Sequence, residues 1–302
     1  MATATAALSA SRVWWSALRP ATLAASVAPV LAGTAAAVQA GGARWWAGLL
    51  ALVIALAMQV GVNLANDYSD FVRGADAKRV GPLRASSSGV VAPSRVRLAA
   101  IASFAVAALA GAVLSMAVDW RLLLAGAACL LAGWLYTGGP RPYGYLGLGE
   151  VFVFVFFGLV ATVGTFYVET GHVNALSVLI GCGVGFMATA ILVLNNLRDL
   201  DTDAAAGKRT LATRLGRQGT RILLLLLVSA AFAVPIVIFI TGLAGVTVMA
   251  MHFGIPIAAV PVRTAFATTS APDLVKALRR MAVAEMAYSL LFTVGILLST
   301  RH

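Results

Sequence analysis

Six of the chain's 11 acidic side chains fall in two short stretches. In the first, Asn63, Asp67 and Asp70 are spaced four and three residues apart, with Asp76 beyond them. In the second, Asn195, Asp199 and Asp203 are spaced four and four apart, with Asp201 between. On a helix, residues three or four apart share a face. Asn63, Asp67 and Asp70 then project within roughly 60° of one another at 100° per residue. Asn195, Asp199 and Asp203 also share a face, and Asp201 points to the opposite side. Paired carboxylates on one face repel each other, and at a helix C-terminus they oppose the helix dipole. A hard divalent cation relieves both costs. Mg²⁺ fits best, because it takes oxygen ligands and binds one or two carboxylates together with substrate phosphates. Basic residues follow each cluster: Lys78, Arg79 and Arg84 after the first, Arg198, Lys208 and Arg209 around the second. Arginine offers forked hydrogen bonds to phosphate oxygens and lysine a point charge. Two such faces opposite one another would hold a metal–diphosphate complex.

The elements that must carry these groups are set by composition. Of 302 residues, 61% are hydrophobic and 11% charged, and the mean hydropathy is +0.93. A soluble domain carries about 25% charged residues, so most of this surface must face lipid. The expected fold is an all-α integral membrane protein, a single domain over residues 1–302. Its nine transmembrane segments are Ala21–Ala40, Trp45–Asn66, Arg95–Met116, Trp120–Thr137, Leu148–Val168, Asn174–Asn196, Thr220–Ile240, Thr241–Val262 and Met281–Ser299. A turn at Thr241-Gly242 separates the seventh and eighth. The short alternating segments of a β-barrel are missing from the sequence.

With a cytoplasmic N-terminus, the internal segments hold 19 of the 22 Lys and Arg residues, leaving Arg44, Arg121 and Arg301 outside. That is the positive-inside distribution. It accounts for the net charge of +11 without nucleic acid. It also puts both Asp-rich loops, 67–94 and 198–219, on the cytoplasmic side of a plasma-membrane protein. Arg263–Arg280 is expected as a third internal connection. Residues 1–20, with Arg12, Trp14, Trp15 and Arg19, read as an interfacial arm. The two Asn-x3-Asp units stand 132 positions apart with four spans between equivalent points. This suggests two four-helix pseudo-repeats plus a ninth helix in one bundle.

Other polar groups have quieter readings. Cys129 and Cys182 fall in apolar segments as small side chains. His252 is expected to hydrogen-bond between helices, Glu285 to sit at the internal end of its span, and Glu169 and His172 to lie outside. No feature of the sequence specifies an oligomeric state.

The chain resembles the UbiA superfamily of intramembrane aromatic prenyltransferases. The resemblance rests on Asn63-Leu-Ala-Asn-Asp-Tyr-Ser-Asp70 with Gly74-Ala-Asp76 and Arg79-Val-Gly-Pro-Leu-Arg84. It rests equally on Leu194-Asn-Asn-Leu-Arg-Asp-Leu-Asp-Thr-Asp203 with Gly207-Lys-Arg-Thr-Leu211 and Arg214-Leu-Gly216. A third stretch, Tyr136-Thr-Gly-Gly-Pro140 with Pro142-Tyr-Gly-Tyr-Leu-Gly-Leu-Gly-Glu150, together with Gly81-Pro-Leu-Arg84, looks like the branch that uses a naphthoate acceptor. The resemblance implies Mg²⁺-dependent transfer of a polyprenyl group from its diphosphate to a dihydroxynaphthoate, with loss of carbon dioxide. It implies Asn63, Asp67, Asp70, Asn195, Asp199 and Asp203 around the metal, and Lys78, Arg79, Arg84, Arg198, Lys208 and Arg209 around the diphosphate. Candidates for the aromatic acid are Asn66, Tyr68, Asp76, Tyr136, Arg141, Tyr143 and Tyr145. Arg141 is a candidate cation for its carboxylate, with Tyr136, Tyr143 and Tyr145 as candidate hydrogen-bond donors, and Glu150 is expected to orient the third stretch. Among the aromatics of span five, Phe152 and Phe156 are candidates to line the prenyl groove.

Two rivals stand beside this reading. A secondary transporter also has repeated halves, but places its sites near the bilayer midplane, whereas these acids sit at one surface. A family member using another acceptor, such as 4-hydroxybenzoate, shares both Asp motifs.

Overall fold

The computed structural model describes residues 9–74, 84–136 and 143–299, apart from the side chains of Ala21 and Tyr145. The described chain is all-helical. A short helix, α1 (Ala10–Leu18), turns at Arg19 into α2 (Pro20–Gln39), followed by α3 (Trp45–Val72), α4 (Pro93–Ala117) and α5 (Leu122–Leu135). The next span is composite: α6 (Gly149–Val153), a π-helical segment (Phe154–Val160) and α7 (Ala161–Thr170). Then come α8 (Ala175–Ala205), α9 (Leu211–Ile240), a 3-10 segment (Val246–Gly254) continuous with α10 (Ile255–Ala267), and α11 (Ala271–Leu297).

Eight of these helices are long and apolar enough to cross a membrane. The remaining expected span, the fourth, Trp120–Thr137, is the 14-residue α5 among the described residues. At 1.5 Å per residue it reaches only about 21 Å, short of the roughly 30 Å hydrocarbon core. Large apolar side chains cover the outside, among them Met116 at 81% and Phe253 at 78% exposure. Such a surface is stable against lipid and unstable against water. The protein is a multi-pass membrane protein.

The helix ends depart from the expected ones where polar residues looked like loop. α3 runs on from Asn66 to Val72 and α8 from Asn196 to Ala205. Both Asp clusters therefore stand on helix rather than in the loops 67–94 and 198–219. α9 starts at Leu211, nine residues before the expected Thr220, and breaks its helical path at Gly216 (φ 67°, ψ 177°). That left-handed backbone is open to glycine. The expected connection Arg263–Arg280 shrinks to residues 268–270, and Arg279 and Arg280 become part of α11. Glu285 is consequently about four turns into its helix, fully buried rather than at an internal end. Its carboxylate has no hydrogen-bond partner among the described residues. His252 also departs from expectation: Nδ1 contacts the Met249 carbonyl of its own helical segment at 3.0 Å.

α8 is the central column. Gly183 admits the ring of Tyr288 from α11, whose hydroxyl donates to the Ala231 carbonyl of α9 at 2.8 Å. Gly185 and Gly181 meet Gly158 of the π segment backbone to backbone. At the far end of the bundle, Thr34 of α2 donates to Glu169 of α7 at 2.6 Å, with Gly48 of α3 leaving room for that carboxylate.

Candidate active site

α3 and α8 bring their Asp-bearing ends to the mouth of one cavity of about 2000 Å³. Asn63, Asn66 and Asp70 line it from α3, and Asn195, Asp199 and Asp203 from α8. Asp67 is buried beside them and organises the returning chain. Its Oδ2 accepts from the Ala85 backbone N–H at 2.8 Å and its Oδ1 from that of Ser86 at 2.9 Å. This fixes Arg84, whose guanidinium pairs with Asp70 at 2.7 Å with both side chains buried. Arg198 grips Asp199 through Nε at 2.7 Å and Nη2 at 2.5 Å, and Nη2 also donates to the side-chain Oδ1 of Asn195 at 2.9 Å. Lys208 pairs with Asp203 at 3.3 Å. Three carboxylates thus face three cations, as a site for a metal–anion complex requires. Among the described residues, no three acidic, histidine or cysteine side chains come close enough to hold an ion alone. A Mg²⁺ ion here needs further oxygens from water or a ligand, its usual habit.

Asn63 spends its amide on the corner between α1 and α2. Nδ2 donates to the Leu18 carbonyl (3.1 Å) and to Thr22 Oγ1 (3.0 Å), and Oδ1 accepts from Gln59 Nε2 (3.1 Å). Thr22 in turn donates to the Arg19 carbonyl through its hydroxyl (2.9 Å) and its backbone N–H (2.8 Å). α1 itself seats Val13 and Ala17 in a small core with Leu64, Val91 and Val96.

Below the charged mouth stands an aromatic ladder. Tyr136 meets Tyr143 edge-on at 5.4 Å, Tyr143 stacks on Phe152 at 4.0 Å, and Phe152 stacks on Phe156 at 5.9 Å. All four line the cavity. The Tyr143 hydroxyl donates to the Ala132 carbonyl at 2.8 Å. Burial pushes its phenol above the ordinary range, so it remains a neutral donor. Glu150 accepts from Asn196 at 2.9 Å, and Arg214 donates to the Leu146 carbonyl at 2.9 Å. These two bonds tie the stretch before the π segment to α8 and α9. Deeper in, the lining is small and apolar, with Ala125, Gly126, Gly133 and Gly164.

Other sequence candidates lie elsewhere. Tyr68 packs beneath Arg97, whose guanidinium lies 5.7 Å from its ring centre, outside the cavity lining. Arg209 is exposed and does not line the cavity. Of the remaining span-five aromatics, Phe154 turns to Phe186 on α8 and Phe166 is core. Asp76, Lys78, Arg79 and Arg141, and the side chain of Tyr145, lie outside the described residues.

Asp201 points away and pairs with Arg217 at 2.8 Å, its own side chain 80% exposed. An exposed pair of this kind is worth at most about 1 kcal/mol. Asp201→Ala is therefore expected to keep activity within about 2-fold of wild type. A loss matching that of Asp199→Ala, measured in the same assay, would refute the separation of faces.

The sequence reading missed Arg19, assigned there to the interfacial arm. Its side chain lines the cavity beside the Asp cluster. Asp67, Asp70, Arg84 and Arg198 all act on its charge, and desolvation, followed by Arg84, lowers its pKa to about 9. The available signal was Pro20, which marks a corner immediately after it.

This fold and site define a membrane-embedded prenyltransferase: a helical bundle whose two Asp-bearing helix ends overhang an apolar, aromatic-walled cavity. The sequence profile of the UbiA prenyltransferase family matches residues 26–291, and the chain belongs to that family. It is similar to a 1,4-dihydroxy-2-naphthoate octaprenyltransferase of Mycobacterium tuberculosis (strain ATCC 25618 / H37Rv), 50% identical over 210 residues, which is 70% of this chain and 72% of that one. The Mycobacterium leprae (strain TN) protein of the same name is 41% identical over 278 residues, 92% of this chain and 93% of its own. Among solved structures, a UbiA homologue from Aeropyrum pernix K1 superposes with a TM-score of 0.61 at 18% identity, covering 94% of this chain and 97% of that one. A UbiA homologue from Archaeoglobus fulgidus, bound to DMAPP and Mg²⁺, superposes with a TM-score of 0.60 at 18% identity, covering 93% and 99%.

Proposed function

We propose that the protein transfers a polyprenyl group from polyprenyl diphosphate to 1,4-dihydroxy-2-naphthoate, releasing diphosphate and carbon dioxide and giving demethylmenaquinol. The observation that carries this reading is the stacking of the site. Charged helix ends stand at the mouth, an aromatic ladder below them, and a large apolar cavity beneath. The sequence similarity to naphthoate octaprenyltransferases over more than nine-tenths of the chain supports the choice of acceptor.

Asp67, Asp70, Asp199 and Asp203 are hard oxygen donors suited to Mg²⁺, which when bound neutralises charge on the leaving diphosphate. Arg84, Arg198 and Lys208 stand where they can hold the diphosphate oxygens by charge-assisted hydrogen bonds. As the C1–O bond breaks, positive charge develops on the allylic carbon. The faces of Phe152 and Phe156 shield it from water and stabilise it by cation–π attraction. The acceptor ring carbon bearing the carboxylate attacks C1. Carbon dioxide departs, leaving its bonding electron pair to restore the aromatic ring. The apolar depth takes the prenyl tail, whose transfer to water would cost about 0.8 kcal/mol per CH₂. The concentration of Lys and Arg beside the Asp helix ends supports a cytoplasmic mouth in the plasma membrane.

The test is turnover by the purified, reconstituted protein. It would be given Mg²⁺, a polyprenyl diphosphate and a panel of aromatic acids, with products read by mass spectrometry. Prenylated, decarboxylated naphthohydroquinone is expected, and chelation of Mg²⁺ should abolish it. Product from 4-hydroxybenzoate alone would move the protein to another acceptor, and solute transport without any prenylated product would overturn the reading.

A further inference from the structure

Arg19 is one of three cavity-lining cations, with Arg12 and Arg279, that the metal–diphosphate reading leaves unused, and the one whose charge the Asp67–Asp70 cluster acts on most directly. Arg84, Arg198 and Lys208 each pair with a site carboxylate. The Arg19 guanidinium has no hydrogen bond or ion pair among the described residues, yet it lines the cavity. It sits at the corner between α1 and α2. Asp67 and Asp70 favour its charge. Its charge also acts on Tyr136, the first ring of the aromatic ladder.

Its backbone is the second observation. Arg19 holds φ 51° and ψ 67°, the sole positive φ of a non-glycine residue among those described. Such conformations persist where the surroundings over-determine them, and they cluster at ligand clamps. Here hydrogen bonds from three helices supply that constraint. The Arg19 N–H donates to the Ser16 carbonyl (3.2 Å), Thr22 donates twice to the Arg19 carbonyl, and Asn63 donates to the Leu18 carbonyl. Bonds from α1, α2 and α3 thus hold the corner that carries this cation.

We infer that Arg19 binds the carboxylate of the aromatic acceptor, holding the ring against Tyr136, Tyr143 and Phe152 with its reacting carbon toward the diphosphate. The inference rests on the proposed function. It assigns to Arg19 the role for which the sequence reading offers Arg141 as a candidate. A planar guanidinium suits a carboxylate through two parallel N–H···O bonds. Arg19 remains cationic at neutral pH, since its pKa lies near 9.

The experiment compares inhibition by two acceptor analogues lacking the 4-hydroxyl, 1-hydroxy-2-naphthoate and its carboxamide, on wild type, R19Q, R19G, R19K and R141Q, with any prenylated product read in the same assay. Wild type is expected to favour the acid by roughly 10- to 100-fold, the range of a charge-assisted contact. R19Q and R19G should bring the two competitors within about 2-fold, with KM for prenyl diphosphate nearly unchanged. R19K should restore part of the preference. R19G suits the left-handed backbone, so a loss there reports the missing cation rather than a strained fold. An intact preference in R19Q and R19G would overturn the inference. So would a raised KM for prenyl diphosphate without loss of preference, or a preference lost only in R141Q. Wild-type protein that turns over no aromatic acid would instead overturn the proposed function, and this inference with it.

Discussion

Asp67→Ala and Asp199→Ala are each expected to lower kcat by about 10²- to 10³-fold, the scale of losing a principal electrostatic stabiliser of a transition state. The two losses should have different companions. Asp199 pairs with Arg198 at the cavity surface. Its removal should leave a folded protein that still takes up prenyl diphosphate but no longer responds to added Mg²⁺. Asp67 also receives the backbone N–H groups of Ala85 and Ser86. Alanine there leaves two buried donors without partners, at about 1–3 kcal/mol each, and releases Arg84 from Asp70. Asp67→Ala should therefore lose thermal stability together with turnover, whereas Asp67→Asn keeps an acceptor oxygen and should recover much of the stability while remaining inactive. Turnover at varied Mg²⁺ and thermal unfolding of the same preparations separate the two effects. Near wild-type activity in both alanine variants would remove the basis for a metal–diphosphate site.

What the sequence disclosed follows from where its signals are strong. Apolar runs and basic-residue asymmetry are summed over many positions, so the helical membrane class was legible. The helix faces were legible too, because spacing alone puts Asp199 and Asp203 together and turns Asp201 away. Helix ends were not. Asn66-Asp-Tyr-Ser-Asp70 reads as loop by hydropathy, but Asp67 and Asp70 find an N–H pair and a guanidinium, and with those partners the helix continues to Val72. Arg198 and Lys208 do the same for α8. Arg19 was hidden because a basic residue before a first span looks like an orienting charge, and only the α1–α2 corner turns it inward. The aromatics of span five were sorted by neighbours that spacing does not specify: Phe152 and Phe156 keep the cavity, and Phe154 goes to Phe186.

The π-helical segment, for which the sequence carries no period, yields the largest stability prediction. π turns are rare and concentrate at functional sites, and this one carries Phe156 and Phe157 in the cavity wall. It is held against α8 by contact between glycines. A Cβ added at Gly158 would lie 2.4 Å from Gly185 Cα and 2.7 Å from the Gly181 carbonyl oxygen. Both are backbone atoms, so no side chain can swing aside, and the two helices must separate by about 1 Å to restore van der Waals contact. Gly158→Ala is expected to cost about 3 kcal/mol, the upper end of ordinary overpacking. Gly164, six residues on, has nothing within 4 Å of the same added carbon. There alanine should gain up to about 1 kcal/mol from helix propensity. The same substitution on one span thus carries opposite signs, readable as a lowered and a raised midpoint of thermal unfolding in detergent. Because the Gly158 contact sets where Phe156 stands, Gly158→Ala should also lose turnover at temperatures where it remains folded. A Gly158→Ala protein that melts and turns over like wild type would mean that the π segment is not fixed by its seat on α8.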